Sequence, residues 1–209
     1  MPALSPFGAQ LRAHRAQRGW SQLDLALEAD TTPRYVSFIE TGRSRPGRQL
    51  VMRLAKTLEL TLRDANELLV AAGLSPAYPE RDLDEQAMAP VRRVIHQLLE
   101  NHEPYPAMVL GPGFRILQLN DAADRLFPGI CDLSIEDIVA RWFREPFDPD
   151  ATDRPVHTPT IHFGDTAVRT ITTVLRFDKA VDITTSELVV ELMFPADADA
   201  ETFFRAATP

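Results

Sequence analysis

A chain of 209 residues with 44% apolar content allows one large domain or two small ones with packed cores. No apolar run approaches the ~18–20 residues of a membrane span, so no membrane partner is expected, and a single cysteine, Cys131, excludes an internal disulfide framework. The net charge of −8 is unevenly divided: residues 1–80 hold ten Lys/Arg against eight Asp/Glu, and residues 81–209 hold twelve against twenty-two.

Basic charge is therefore local. Residues 31–53 carry five arginines against Glu40 alone, and an acidic remainder keeps itself off polyanions. Ser5-Pro6 predicts the start of a first helix, with Phe7, Leu11 and Arg15 following at helical spacing up to Gly19. A helix this close to the first residue is unlike a signal peptide, and a reducing cytoplasm is the expected compartment. Arg15 falls on a core-facing line, where an unpaired guanidinium is costly. Trp20 is read as sealing a small core.

Residues 21–46 are the most informative stretch. Ser21 caps a helix and Asp24 completes its capping box, with Leu25, Ala26 and Ala29 as an apolar stripe. Asp30-Thr31 breaks the pattern. Thr32 then caps again, Pro33 takes the first helical position, and Tyr35, Val36 and Ile39 share one face. Gly42 suits the left-handed stop. Two helices joined by so short a turn cross steeply, as in a helix-turn-helix. Arg34 within the second helix, with Arg43, Arg45 and Arg48 beyond it, supplies cations for a groove and its phosphates.

Leu50, Val51, Leu54, Ala55 and Leu58 predict a fourth helix. Thr61 with Asp64 opens a fifth, stopped by Gly73. Leu74–Pro79, with two prolines in six residues, reads as a linker. Val91, Val94, Ile95, Leu98 and Leu99 stripe a helix begun at Pro90, flanked by His96 and His102, both read as surface histidines. Beyond residue 104 the period becomes extended. Ala107–Leu110, a Gly111-Pro112-Gly113 turn and Phe114–Leu119 read as a hairpin. Asn120 and Ser134 cap short helices, and residues 145–155 read as a loop. Val156–Phe163, Thr166–Phe177 and Glu187–Phe194 read as strands, and Ala198–Ala206 as a last helix. This order predicts an antiparallel sheet with helices on one side.

The spacing S-Q-x-x-L-A-x-x-A, then Thr, then V-S-x-x-E-x-G-x-x-x-P is met by Ser21, Gln22, Leu25, Ala26, Ala29, Thr32, Val36, Ser37, Glu40, Gly42 and Pro46. It resembles the phage-repressor-like (XRE) helix-turn-helix family, although Asp30 and Thr31 stand where that family usually has Gly and Val. The resemblance implies an ion pair between Arg15 and Glu40. It also implies base-facing positions at Thr32, Arg34, Ser37 and Phe38, and phosphate-facing positions at Gln22, Thr41, Arg43 and Arg45. A guanine edge is the natural partner of Arg34, a second phosphate the alternative.

The segment PAMVLGPGFRILQLNDAADRLF resembles the opening of a PAS-type sensor domain. Together with HEPYPAMVL and ITTSELVVELMFPAD it looks like regulators with an MmyB-like ligand-binding domain, the usual helical insertion being shortened here to about SIEDIVARWF plus a loop. That family is associated with fatty-acyl-like ligands, so the resemblance implies a small apolar effector such as a fatty acid. Phe114, Ile116, Phe127, Trp142, Phe143, Ile161, Phe163, Ile171 and Leu175 are the candidates to line its site or, alternatively, to fill an ordinary core.

Catalytic signatures are lacking. No CxxC, HExxH, GxSxG or phosphate-cradling glycine loop occurs, and His157 and His162 would point to opposite faces of one strand. Neither enzyme activity nor a metal or cofactor is expected, and Cys131 reads as inert rather than as a redox switch or haem ligand. The predicted architecture is multidomain. An all-α five-helix repressor-like DNA-binding domain (1–74) and a linker (75–89) precede an α+β PAS-like antiparallel-sheet domain (90–209). The predicted function is sequence-specific binding of a double-stranded DNA operator by a homodimer, because one small helix-turn-helix grips too little surface. In the alternative, the C-terminal domain only dimerises or docks a protein, as in antitoxin- or phage-type repressors.

Overall fold

The computed structural model describes residues 5–143, 156 and 158–207. The chain divides into two compact units, residues 1–80 with 181–183, and residues 81–180 with 184–209.

Five helices build the first unit, each started by a local signal. Helix α1 (Pro6–Gln17) is capped by Ser5, whose hydroxyl accepts the Gly8 N–H at 3.1 Å. Helix α2 (Gln22–Glu28) carries a full capping box: Ser21 Oγ accepts the Asp24 N–H at 3.2 Å and Asp24 Oδ2 accepts the Ser21 N–H at 2.7 Å. These bonds hold the Asp24 carboxyl below its ordinary range. Thr32 caps α3 (Pro33–Glu40). Gly47 precedes α4 (Arg48–Thr57) without a side-chain cap, and Thr61 caps α5 (Leu62–Ala71).

Between α2 and α3 the turn is made by Asp30 at φ 46°, a left-handed position that Asp tolerates better than most residues. Phe7, Leu11, Leu25, Val36, Ile39, Leu54 and Leu68 close the core, with Trp20 packed against its edge. Residues 75–78, predicted as linker, are fastened to this unit. Arg48 donates to the carbonyls of Ser75 (2.7 Å) and Pro76 (3.3 Å). Asn66 donates to the Tyr78 carbonyl (2.7 Å) and accepts the N–H groups of Ala77 and Tyr78.

The second unit opens with α6 (Ala89–Asn101), then β1 (Ala107–Leu110), β2 (Ile116–Leu119), α7 (Asp121–Leu126) and α8 (Ile135–Trp142). It continues with β3 (Thr160–Phe163), β4 (Thr166–Arg176), α9 (Ile183–Glu187, all but its first residue in this unit), β5 (Val189–Pro195) and α10 (Ala198–Ala206). The strands form one antiparallel sheet in the order β2-β1-β5-β4-β3. All four residues of β1 are buried. Met108 and Leu110 join Phe127, Trp142 and Ile161 on one face, while Ala107 and Val109 join Ile95 and Leu99 of α6 on the other.

The prediction of helices on one side is thus corrected. Both faces of β1 are apolar, so both need a cover. Asn120 ties strand to helix, its Oδ1 accepting N–H groups from Ala107 (2.9 Å) and Ala123 (3.0 Å). Three further expectations change. Phe114 lies in a 3-10 turn at φ 61°, with β2 starting only at Ile116. Of the run Val156–Phe163 the strand takes residues 160–163, and β5 begins at Val189 because Ile183–Glu187 is helical. The predicted loop 145–155 and His157 lie outside the described residues.

Close approach of α1 to α3 depends on Gly8. A Cβ there would lie 1.9 Å from the Glu40 carbonyl oxygen. Helix propensity alone favours Ala over Gly by about 1 kcal/mol, but the clash is with backbone. Gly8→Ala is expected to lose about 2–3 kcal/mol of stability, measured by urea denaturation of the full chain.

Candidate nucleic-acid interface

The face of α3 is aimed by a buried polar cluster behind it. Arg15 of α1 donates from Nε to Glu40 Oε1 at 2.7 Å, from one terminal nitrogen to Glu40 Oε2 at 3.1 Å, and from the other to the Trp20 carbonyl at 2.6 Å. Gln22 of α2 adds a bond from Nε2 to Glu40 Oε2 at 2.7 Å. Glu40 is only 3% exposed, so a carboxylate without these donors would be strongly destabilising. One side chain of α3 is thereby held by both preceding helices.

Outside that cluster lie Arg34, Phe38 and Arg43, three of the residues singled out for DNA. Arg34 is exposed one position past Pro33, and Phe38 sits one turn further, half-buried, with the Arg34 guanidinium carbon 5.3 Å from its ring centre. Gly42, at φ 72°, ends the helix in a Schellman cap. The Gly42 N–H bonds the Ile39 carbonyl (3.3 Å) and the Arg43 N–H bonds the Phe38 carbonyl (2.8 Å). That cap delivers Arg43 to the same ring, at 6.0 Å. Ser37 is half-buried beside them and Arg45 is exposed.

Three of the polar positions have internal bonds. Thr32 Oγ1 accepts the Tyr35 N–H at 3.2 Å as the cap of α3, which leaves its proton free to donate. Thr41 donates its hydroxyl to the Ser37 carbonyl at 2.7 Å, and the Gln22 amide is committed to Glu40. Gln22 and Thr41, expected to face phosphates, thus each also carry an internal bond. Arg34, Arg43 and Arg45 keep exposed cationic heads, and an exposed helix flanked by guanidinium groups can enter a major groove and neutralise phosphates.

In the second unit, six of the nine predicted lining residues meet in one cluster. Phe127, Trp142 and Ile161 are buried there, and Ile116, Phe143 and Phe163 pack against them. Phe127 contacts Trp142 edge-on, with centroids 5.3 Å apart. The other three do not belong. Phe114 is 67% exposed in its turn. Ile171 and Leu175 pair with Phe194 and Val190, which places them on the α6 face of the sheet, away from the cluster. Register decides this, since side chains alternate faces along a strand.

Sequence reasoning missed Glu191. It pairs with Met108 and Val174, so it points to the face of the aromatic cluster, and burial pushes its carboxyl above the ordinary range. His102 is corrected from a surface residue to a buried one. Its Nε2 donates to the Met193 carbonyl at 2.8 Å, and burial lowers its pKa below the usual value. His96 is exposed beside Glu100. Burial and the nearby Asp132 and Asp124 carboxylates raise the Cys131 thiol, which disfavours the reactive thiolate. No group of three or more His, Cys, Asp or Glu with metal-holding geometry occurs among the described residues, and none of their helices is long and apolar enough to cross a membrane.

Because the folded state holds the Glu191 proton more tightly than the unfolded chain, this group destabilises the fold as pH rises from the ordinary carboxyl range. Glu191→Gln is expected to raise Tm at pH 7, with the gain vanishing as the pH falls below about 4.5. Thermal melts across pH check this.

Residues 11–64 match the helix-turn-helix family model, and residues 91–154 match the model of the MmyB-like transcription regulator ligand binding domain. Among curated proteins none matches. Similar solved structures include the restriction-modification controller protein C.AhdI from Aeromonas hydrophila. It is 30% identical over 29% of this chain and 92% of that one, with a TM-score of 0.28. A hypothetical transcription factor, NHTF, from Neisseria is 28% identical over 31% and 71%, with a TM-score of 0.29. The clp gene regulator ClgR from C. glutamicum is 28% identical over 33% and 86%, also at 0.29. With the two family models falling one on each unit, the chain belongs to the XRE-type helix-turn-helix DNA-binding regulators that carry an MmyB-like ligand-binding domain.

Proposed function

We propose that this regulator grips a two-fold operator as a homodimer and that its C-terminal unit takes a small apolar effector of the fatty-acyl kind. The observation that carries the DNA half is the exposed Arg34, Phe38 and Arg43 face of α3, braced from behind by the Arg15–Glu40 pair. One such helix covers too few base pairs for an operator, so two copies reading half-sites about 34–36 Å apart are required. Apolar Val94, Leu175 and Phe194, each more than a third exposed on the α6 side of the sheet, favour self-association of the C-terminal unit. An effector acts by binding one dimer arrangement better than another.

A second reading, in which the C-terminal unit only pairs or docks a protein, draws on its aromatic cluster serving as core, since Phe127 and Ile161 are almost wholly buried. The two separate by thermal shift. A fatty acid present at a hundred times its Kd stabilises by about 2.7 kcal/mol. If no acyl chain of any length moves Tm, the effector reading is overturned.

Arg34 is assigned to a guanine edge, Arg43 to a phosphate. Arg34→Ala is expected to cost about 1–3 kcal/mol at one base position and relax preference there. Arg43→Ala should weaken all sites alike and reduce the salt slope by about 1. Binding isotherms on matched and mismatched operators over a salt series check both, and identical behaviour of the two variants overturns the assignment.

A further inference from the structure

Phe38 is a large apolar side chain for which the core of its own unit has no use. From α3 that core takes Val36 and Ile39, with Tyr35 against its edge, and Phe38 is not among its packed residues. Instead the ring lies half-buried on the outer side of the helix, with two guanidinium groups over it, Arg34 at 5.3 Å and Arg43 at 6.0 Å. The arrangement is built rather than incidental. Arg34 and Phe38 are one helical turn apart, at the i,i+4 spacing that brings side chains together. Arg43 is brought to the ring by the cap in which the Phe38 carbonyl accepts the N–H groups of Arg43 (2.8 Å) and Ser44 (3.2 Å). In such caps a contact normally joins these same two positions through apolar side chains. Here an arginine on an aromatic face replaces it.

Within a major groove an arginine and an aromatic ring have different partners. The guanidinium forms two bonds with guanine N7 and O6. The one apolar group on the base edges is the thymine 5-methyl. Because Arg34 and Phe38 are stacked, their targets cannot be far apart. A separation of 5.3 Å falls between one and two base steps of about 3.4 Å. Resting on the reading of α3 as the groove-entering element, we propose that Phe38 is a specificity-determining residue: its ring packs on the methyl of a thymine adjacent to the guanine paired by Arg34. Each half-site then carries a neighbouring guanine and thymine. The ring also holds both arginines in position before DNA arrives, so their charge and their reach are coupled through one side chain.

Selection of binding sequences by the full-length chain from a random duplex library supplies the operator. Each thymine of a half-site is then replaced in turn by deoxyuridine, which keeps base pairing and removes only the methyl. At one position, next to the invariant guanine, wild type should lose about fourfold in affinity, the worth of roughly one buried CH₂ at about 0.8 kcal/mol. Phe38→Ala should bind the thymine and uracil duplexes equally. Arg34→Ala should keep the methyl preference while losing the preference for guanine. Circular dichroism melts establish that the variants fold, and Phe38→Leu, which keeps apolar bulk, should retain part of the methyl preference. A wild type indifferent to every thymine methyl, or a Phe38→Ala chain that still distinguishes the two, overturns the inference while leaving operator binding intact. Failure to enrich any sequence would remove operator binding itself, and the inference with it.

Discussion

The Arg15 guanidinium sets the geometry on which the DNA-binding half depends. It lies where three helices meet, bonded twice to Glu40 of α3 and once to the Trp20 carbonyl ahead of α2, with Gln22 completing the ring of donors. Taking two charges out of water is unfavourable, and an apolar pair of the same volume often stabilises a fold as well or better. What the ionic pair supplies instead is direction. Fork and carboxylate satisfy one another in one relative orientation, which fixes how α3 is rotated about its axis. The backbone reinforces it: α1 comes so close at Gly8 that its neighbour is the carbonyl of Glu40 itself. A single residue of α3 is therefore held by side chain and by main chain, and everything on its far side inherits that placement.

The first unit was largely legible because its signals are local. Ser5, Ser21, Thr32 and Thr61 each bond an N–H within three residues, so the cap is written beside the helix it starts. Arg15–Glu40 spans 25 positions and was reachable only through the family pattern. Gly8 gave no signal at all, since the atom it avoids belongs to another helix. In the second unit, extended segments were found but their facing was not. β4 offers apolar residues of both parities, Val174 against Ile171 and Leu175, and only pairing with β5 assigns them. Glu191 was hidden in VVELMF because a charge within an apolar run reads as the solvent side. Ile183–Glu187 was missed because Ile-Thr-Thr is β-branched and the helix is only one turn and a half long.

The sheet of the second unit is asymmetric in what covers it. One face meets α6 through small and aliphatic residues, Ala107, Val109, Val190 and Leu188. The other meets aromatic Phe127, Trp142 and Phe163 together with Met108 and Met193. Met adapts its shape to irregular gaps and aromatics interact over longer distances, so the second face is the more accommodating. Glu191 on β5 belongs to that face, where burial pushes its carboxyl above the ordinary range.

The fastening of residues 75–78 has a practical meaning for anyone dissecting the protein. Arg48 and Asn66 bind backbone groups of Ser75, Pro76, Ala77 and Tyr78, and Ala77 packs against the helical core. These residues are a clasp rather than a tether. A gene fragment ending at Leu74 would strip the Asn66 amide of every partner it has there and uncover apolar surface, whereas one ending after Glu80 keeps the clasp shut and should yield the better-behaved minimal module.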